Sequence, residues 1–239
     1  ISNKNQNRAI DLGLVDELIE FEKLSMLDVV LVSIPVDKSL IVLPKVLDLV
    51  NRETLVFDVG STKNPICKVL ANHPKRGNFL PVHPMAGTEF SGPNAAVKGL
   101  YINKTNIICE MEKTDREIYK IALKIFTKLN MNIIHMDTKS HDMHVAYVSH
   151  LSHISSFMLG KTVIEKEKNE KNIFDLAGSG FESTVRLAKS SPETWTPIFL
   201  QNKKNLVLAI EEYIYNLNDL KEIIKEDNHL RLSEILNNT

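Results

Sequence analysis

Short β-rich runs alternate with helical ones through the first 138 residues, and this alternation narrows the fold more than any single motif does. Residues 28–34 (DVVLVSI) form a nearly unbroken apolar run, the pattern of a strand covered on both faces of a parallel sheet. Pro35 ends it. Residues 38–50 (KSLIVLPKVLDLV) carry helical spacing, and 54–59 (TLVFDV) reads as a second buried strand. Residues 79–82, 106–109 and 132–136 read as three more. Between the last two, a capping box of Thr114 and Glu117 opens a helix with Ile118, Ile121, Ala122, Ile125, Phe126 and Leu129 as its apolar stripe. Such alternation predicts a doubly wound α/β domain, in which ligands bind beyond the carboxyl ends of the strands.

Past residue 138 the pattern is helical only, which sets the expected division at 1–138 and 139–239. Residues 141–167 read as one long helical segment, 165–172 (EKEKNEKN) as a solvated turn and 177–181 as a loop. Ser191-Pro192 has the form of an N-cap followed by proline at the first helical position. The long helix expected after it puts Ile198, Leu206, Ile210, Tyr213, Ile214, Leu217 and Leu220 on one side. That is more apolar face than a small bundle buries alone, so this half is expected to form a homodimer. At the other end, residues 7–13 read as a helix with a glycine stop, and no GxGxxG occurs. The α/β half is therefore expected to be a Rossmann-like domain lacking its first strand and Gly-rich turn, and to bind a dinucleotide poorly as it stands.

With 239 residues and a formal net charge of -1, the chain has no long-range attraction for nucleic acid or an anionic membrane, which favours a small-molecule partner. Cys67 and Cys109 show no metal spacing and are expected to be buried and reduced. No signal peptide and no bilayer-length apolar run stands out, so a cytoplasmic protein is expected.

The stretch Pro81-Val82-His83-Pro84-Met85-Ala86-Gly87-Thr88-Glu89 has the form of a strand ending in a catalytic loop. Pro84 disfavours helix at His83 and mounts its imidazole on extended backbone, where its proton can move near neutral pH. Four further histidines form i, i+3 pairs, His141/His144 and His150/His153. At about 100° per residue the two pairs point to opposite sides of one helix, so no four-histidine site forms and no metal is expected. His141 and His144 then read as helix-face residues.

Four ordered motifs resemble the prephenate dehydrogenase family over essentially the whole chain: DVGSTK from Asp58, HPMAGTE from His83, His141-Asp142 with Ser149-His150-Leu151-Ser152-His153, and 178–181 with Arg186 and Trp195. The resemblance implies oxidative decarboxylation of prephenate to 4-hydroxyphenylpyruvate for tyrosine synthesis, with hydride passing to NAD or NADP. It makes His83 the acid–base group, with Ser61 bridging it to the nicotinamide. It brings His150 and His153 to the substrate pocket and makes Thr88 and Glu89 a gate that contacts substrate. Arg186 becomes the carboxylate clamp, a task its planar fork suits; without the resemblance it reads as a surface salt bridge. Trp195 fits either the core or a pocket wall. Ser33, Pro35, Gly60 and Ser61 are expected along the cofactor groove; Asp58 belongs either there or in tethering its own loop. The alternatives are an arogenate dehydrogenase, a β-hydroxyacid dehydrogenase, for which only Lys161 offers a lysine well downstream, and a non-catalytic helical dimer module.

Overall fold

The structure, a computed structural model, describes residues 3–170 and 172–239. A helix, α1 (Asn3–Asp11), precedes Gly13, whose φ of +63° ends the turn as the sequence suggests. Five strands follow: β1 (Val29–Val32), β2 (Leu55–Asp58), β3 (Phe79–Pro84), β4 (Thr105–Cys109) and β5 (Asn132–Met136). They form one sheet in the order β1-β2-β3-β4-β5, with β3–β4 antiparallel and the other pairs parallel. Helices α2 (Val36–Leu49), α3 (Asn64–Leu70) and α4 (Arg116–Lys128) make the crossovers.

The strands supply two cores, as expected when helices cover both faces of a sheet. Val30, Val32, Val56 and Phe79 pack with Leu43, Leu47, Ile66 and Leu70 of α2 and α3. Leu55, Phe57, Leu80, Val82 and Ile108 pack with Ile118, Ala122 and Phe126 of α4. Full burial of each large side chain contributes about 1.5–3 kcal/mol, which fixes the carboxyl ends of β1 to β3 in one place.

α4 begins differently from the sequence expectation. Asp115 is its N-cap, accepting from the Glu117 backbone N–H at 2.9 Å. Thr114 is buried instead, donating its hydroxyl to the Phe79 carbonyl, so the Thr114/Glu117 capping box does not form. The stripe also stops short, since Leu129 is exposed at the helix end.

The second half is helical: α5 (Thr138–Val145), α6 (Leu151–Glu167), α7 (Ser179–Val185), α8 (Pro192–Gln201), α9 (Lys203–Lys225) and α10 (His229–Asn237). α5 and α6 join through a π-helical turn, Ala146–His150, so 138–167 is continuous but not uniform. The polar stretch 165–172 begins inside α6, and its Lys171 lies outside the described residues. Ser179, Gly180 and Phe181, expected in a loop, open α7. Ser191 caps α8 through the Thr194 backbone N–H with Pro192 at the first position, as predicted. The single long helix expected from there is instead two, broken at Asn202, whose side-chain amide donates to the Asp142 carbonyl. Along α9, Leu206 is buried while Tyr213, Ile214 and Leu217 are exposed. Both cysteines are buried and unpaired, and burial pushes the Cys109 thiol up to about 12. Among the described residues no helix is long and apolar enough to cross a membrane.

Candidate active site

The turn after β2 is tied down by buried charge. Asp58 accepts from the Gly60 backbone N–H at 3.0 Å and from Lys63 Nζ, which also donates to the Val82 carbonyl at 2.6 Å. Lys63 is wholly buried and Asp58 is 2 % exposed. Gly60 is required here, because a Cβ would come within 2.9 Å of the Asp58 carboxylate and 3.0 Å of Val36. Asp58 thus tethers its own loop, and its expected place in the cofactor groove is corrected: its charge is spent inside the fold.

The same turn is fastened to the helical half. Asp142 on α5 accepts from the backbone N–H groups of Lys63 and Asn64 at 2.8 and 3.0 Å. Thr62 donates its hydroxyl to Gln201 at the end of α8. These bonds bring the end of β3 against α5. There His83 Nδ1 lies 2.9 Å from His141 Nε2, and His141 Nδ1 lies 2.8 Å from Asp142 Oδ1. Burial first, then the neighbouring His141 and the Lys63 ammonium, hold the His83 imidazole well below the usual histidine range. His83 is therefore neutral at physiological pH and able to accept a proton.

His83 lines a cavity of about 350 Å³ at the junction of the two halves. Ser61, Thr88 and Glu89 border it from the α/β side, and His153, Arg186 and Trp195 from the helical side. The His153 and Trp195 rings stack with centroids 3.4 Å apart, and His153 Nδ1 donates to the Ser149 carbonyl at 2.9 Å. Arg186 Nη1 donates to Glu89 Oε2 at 2.7 Å across the mouth, with the Arg186 side chain 51 % exposed. Both readings of Arg186 thus meet in one geometry: it forms a salt bridge, and it does so at the cavity.

His150 departs from expectation. It does not line the cavity but lies fully buried behind Trp195, with ring centroids 5.9 Å apart and Nδ1 3.2 Å from Asn202 Nδ2. Burial lowers it to about 4, so it is a neutral packing group. His141 departs in the opposite direction. Read as a helix-face residue, it is fully buried against His83, whereas His144 is exposed. Uniform helical geometry fails between the pairs because the π-helical turn rotates less per residue, so His141 and His150 both face inward. Lys63, His141, Asp142 and Asn202 are the site residues that sequence reasoning missed. The His141-Asp142 dipeptide was the available signal, since a carboxylate beside a histidine can hold its tautomer.

Ser33 and Pro35 are exposed where β1 gives way to α2, and Gly60 and Ser61 are half-buried at the end of the neighbouring β2. That shared edge is open and reaches the cavity at Ser61, which fits a nucleotide at the carboxyl ends of the strands. Among the described residues no three His, Cys, Asp or Glu side chains are grouped to hold a metal.

A doubly wound sheet, a cavity at its carboxyl edge and a helical domain closing over it define the class: a two-domain nucleotide-binding protein. Residues 1–135 match the nucleotide-binding domain of prephenate dehydrogenase, and residues 137–238 match that enzyme's dimerization domain. The chain belongs to the prephenate dehydrogenase family. It is 33 % identical to the structure of the Aquifex aeolicus prephenate dehydrogenase in complex with hydroxyphenyl propionate and NAD+, with a TM-score of 0.90 over 100 % of this chain and 84 % of that one. The structure of Synechocystis arogenate dehydrogenase is 26 % identical, with a TM-score of 0.75 over 100 % of this chain and 86 % of that one. Among curated relatives, prephenate dehydrogenase of Bacillus subtilis is 27 % identical over 95 % of this chain, which spans 62 % of that protein's length.

Proposed function

We propose that this protein oxidises and decarboxylates prephenate to 4-hydroxyphenylpyruvate, with NAD as the hydride acceptor. The observation that carries the reading is a buried, neutral His83 facing a cavity whose mouth holds Arg186. Bound NAD supplies the acceptor for hydride from the carbinol carbon, and Ser33, Pro35, Gly60 and Ser61 would hold it along the sheet edge. His83 takes the hydroxyl proton as the carbonyl forms. Loss of CO2 then makes the ring aromatic, and the proton returns to the phenolate oxygen. Arg186 takes a substrate carboxylate by releasing Glu89, while Thr88 and Glu89 border the entrance and His153 stacked on Trp195 forms the facing wall. Positioned acid–base groups of this kind accelerate proton transfer about 10²–10⁴-fold.

The test is NADH formation with prephenate in the natural full-length protein. Arg186→Ala should raise KM by about tenfold to 150-fold, since a charge-assisted hydrogen bond contributes roughly 1.5–3 kcal/mol. Lysine should restore part of this, because a point charge replaces the charge but not the fork. An unmoved KM would remove Arg186 from the clamp, and preferential turnover of arogenate would replace the substrate.

We further propose that the chain divides functionally at residues 138/139 and that its helical half forms a homodimer. The match to a dimerization domain supports this. So does the row of exposed Tyr213, Ile214 and Leu217 on α9, an apolar face that a second copy would cover. Sedimentation should give twice the 27.1 kDa chain mass; a monomer at micromolar concentration contradicts it.

A further inference from the structure

Three buried side chains behind the cavity form a chain whose polarity follows from hydrogen-bond chemistry. Asp142 already accepts two backbone N–H groups, from Lys63 and Asn64. An ionised carboxylate only accepts, so the 2.8 Å contact to His141 Nδ1 requires the hydrogen on His141. With His141 uncharged, hydrogen on its Nδ1 leaves a lone pair on Nε2. The 2.9 Å contact from that Nε2 to His83 Nδ1 then requires the hydrogen on His83 Nδ1. His83 Nε2, which has no protein partner among the described residues, is left with its lone pair free in a ring that lines the cavity.

We infer that Asp142 and His141 are positioning residues that fix the tautomer of His83, so that Nε2 faces the ligand as the proton acceptor. Neither lines the cavity beside His83. The charged and titratable groups around the chain are consistent with one orientation: the Lys63 ammonium is ion-paired with Asp58, and His150 is itself a buried neutral ring. Nothing else among the described residues bonds His83 Nδ1 or His141 Nε2. The kinetic part of the inference rests on the proposed dehydrogenase reaction; the tautomer does not.

The experiment is ¹⁵N–¹H spectroscopy of the full chain labelled at histidine, with His83 assigned by its disappearance in His83→Asn. In the wild type at pH 7.5 the His83 proton should be on Nδ1. In His141→Phe the acceptor for the His83 Nδ1–H is gone while Asp142 keeps its bonds to the Lys63 and Asn64 N–H groups, and the His83 proton should move to Nε2 rather than stay buried without a partner. Turnover of prephenate should then fall at least about a hundredfold with KM within threefold, the cost of presenting a hydrogen where a lone pair is needed. Should His141→Phe fail to fold, His141→Leu removes the same acceptor with a smaller side chain, and it should likewise deplete the Nδ1 proton and turnover. A wild-type His83 protonated on Nε2 overturns the inference, as does a folded His141→Phe protein that keeps the Nδ1 proton. Wild-type protein that turns over no prephenate sinks the substrate reading alone, because the spectra need no substrate.

Discussion

Replacing His83 with asparagine should lower turnover by about a hundredfold to ten-thousandfold while leaving KM nearly unchanged. Asparagine keeps a polar side chain beside His141 but has no group that takes a proton near neutral pH. The pH profile should identify the same group. Burial, His141 and Lys63 all lower the His83 imidazole below its ordinary value of 6.5. The base is the unprotonated form, so kcat/KM stays level as pH falls through 6.5 and drops only when pH passes below the lowered value. A wild-type acid limb at or above 6.5, or an asparagine variant with near-native turnover, would take His83 out of the reaction.

The second large effect concerns stability. Lys63→Met should destabilise the fold by about 3–5 kcal/mol, because it strands a buried carboxylate rather than merely losing a contact. Asp58 is 2 % exposed, and among the described residues it is held, besides Lys63, only by the Gly60 N–H. In a chain of this length the loss corresponds to a fall in Tm of roughly 6–20 °C. Adding Asp58→Asn to Lys63→Met should recover much of it, since no ion then remains unpaired. A single variant melting within a degree of wild type would show that the pair does not hold the turn. The effect also reaches the site, because Lys63 Nζ bonds the carbonyl of Val82, the residue before His83.

The sequence by itself determined the strands of the sheet and the extended backbone on which His83 is mounted. Strands covered on both faces must be apolar almost throughout, so residues 28–34, 54–59 and 79–82 announce themselves, and proline leaves few backbone options around His83. The cap at Ser191 was legible for the same reason: an N-cap and a following proline are local chemistry. Where a side chain had two partners to choose from, only tertiary structure decided. Thr114 does not cap its helix because its hydroxyl donates instead to the Phe79 carbonyl at the start of β3, at 2.8 Å. The expected single helix breaks at Asn202 because its amide is drawn to the Asp142 carbonyl, 60 residues away in sequence. His141 and His150 both turned inward, neither of them lining the cavity, because a π-helical turn changes the rotation between them, and periodicity assumes that rotation constant. Local preferences are written residue by residue; which donor meets which acceptor across the fold is settled only when both are buried together and neither can turn to water instead.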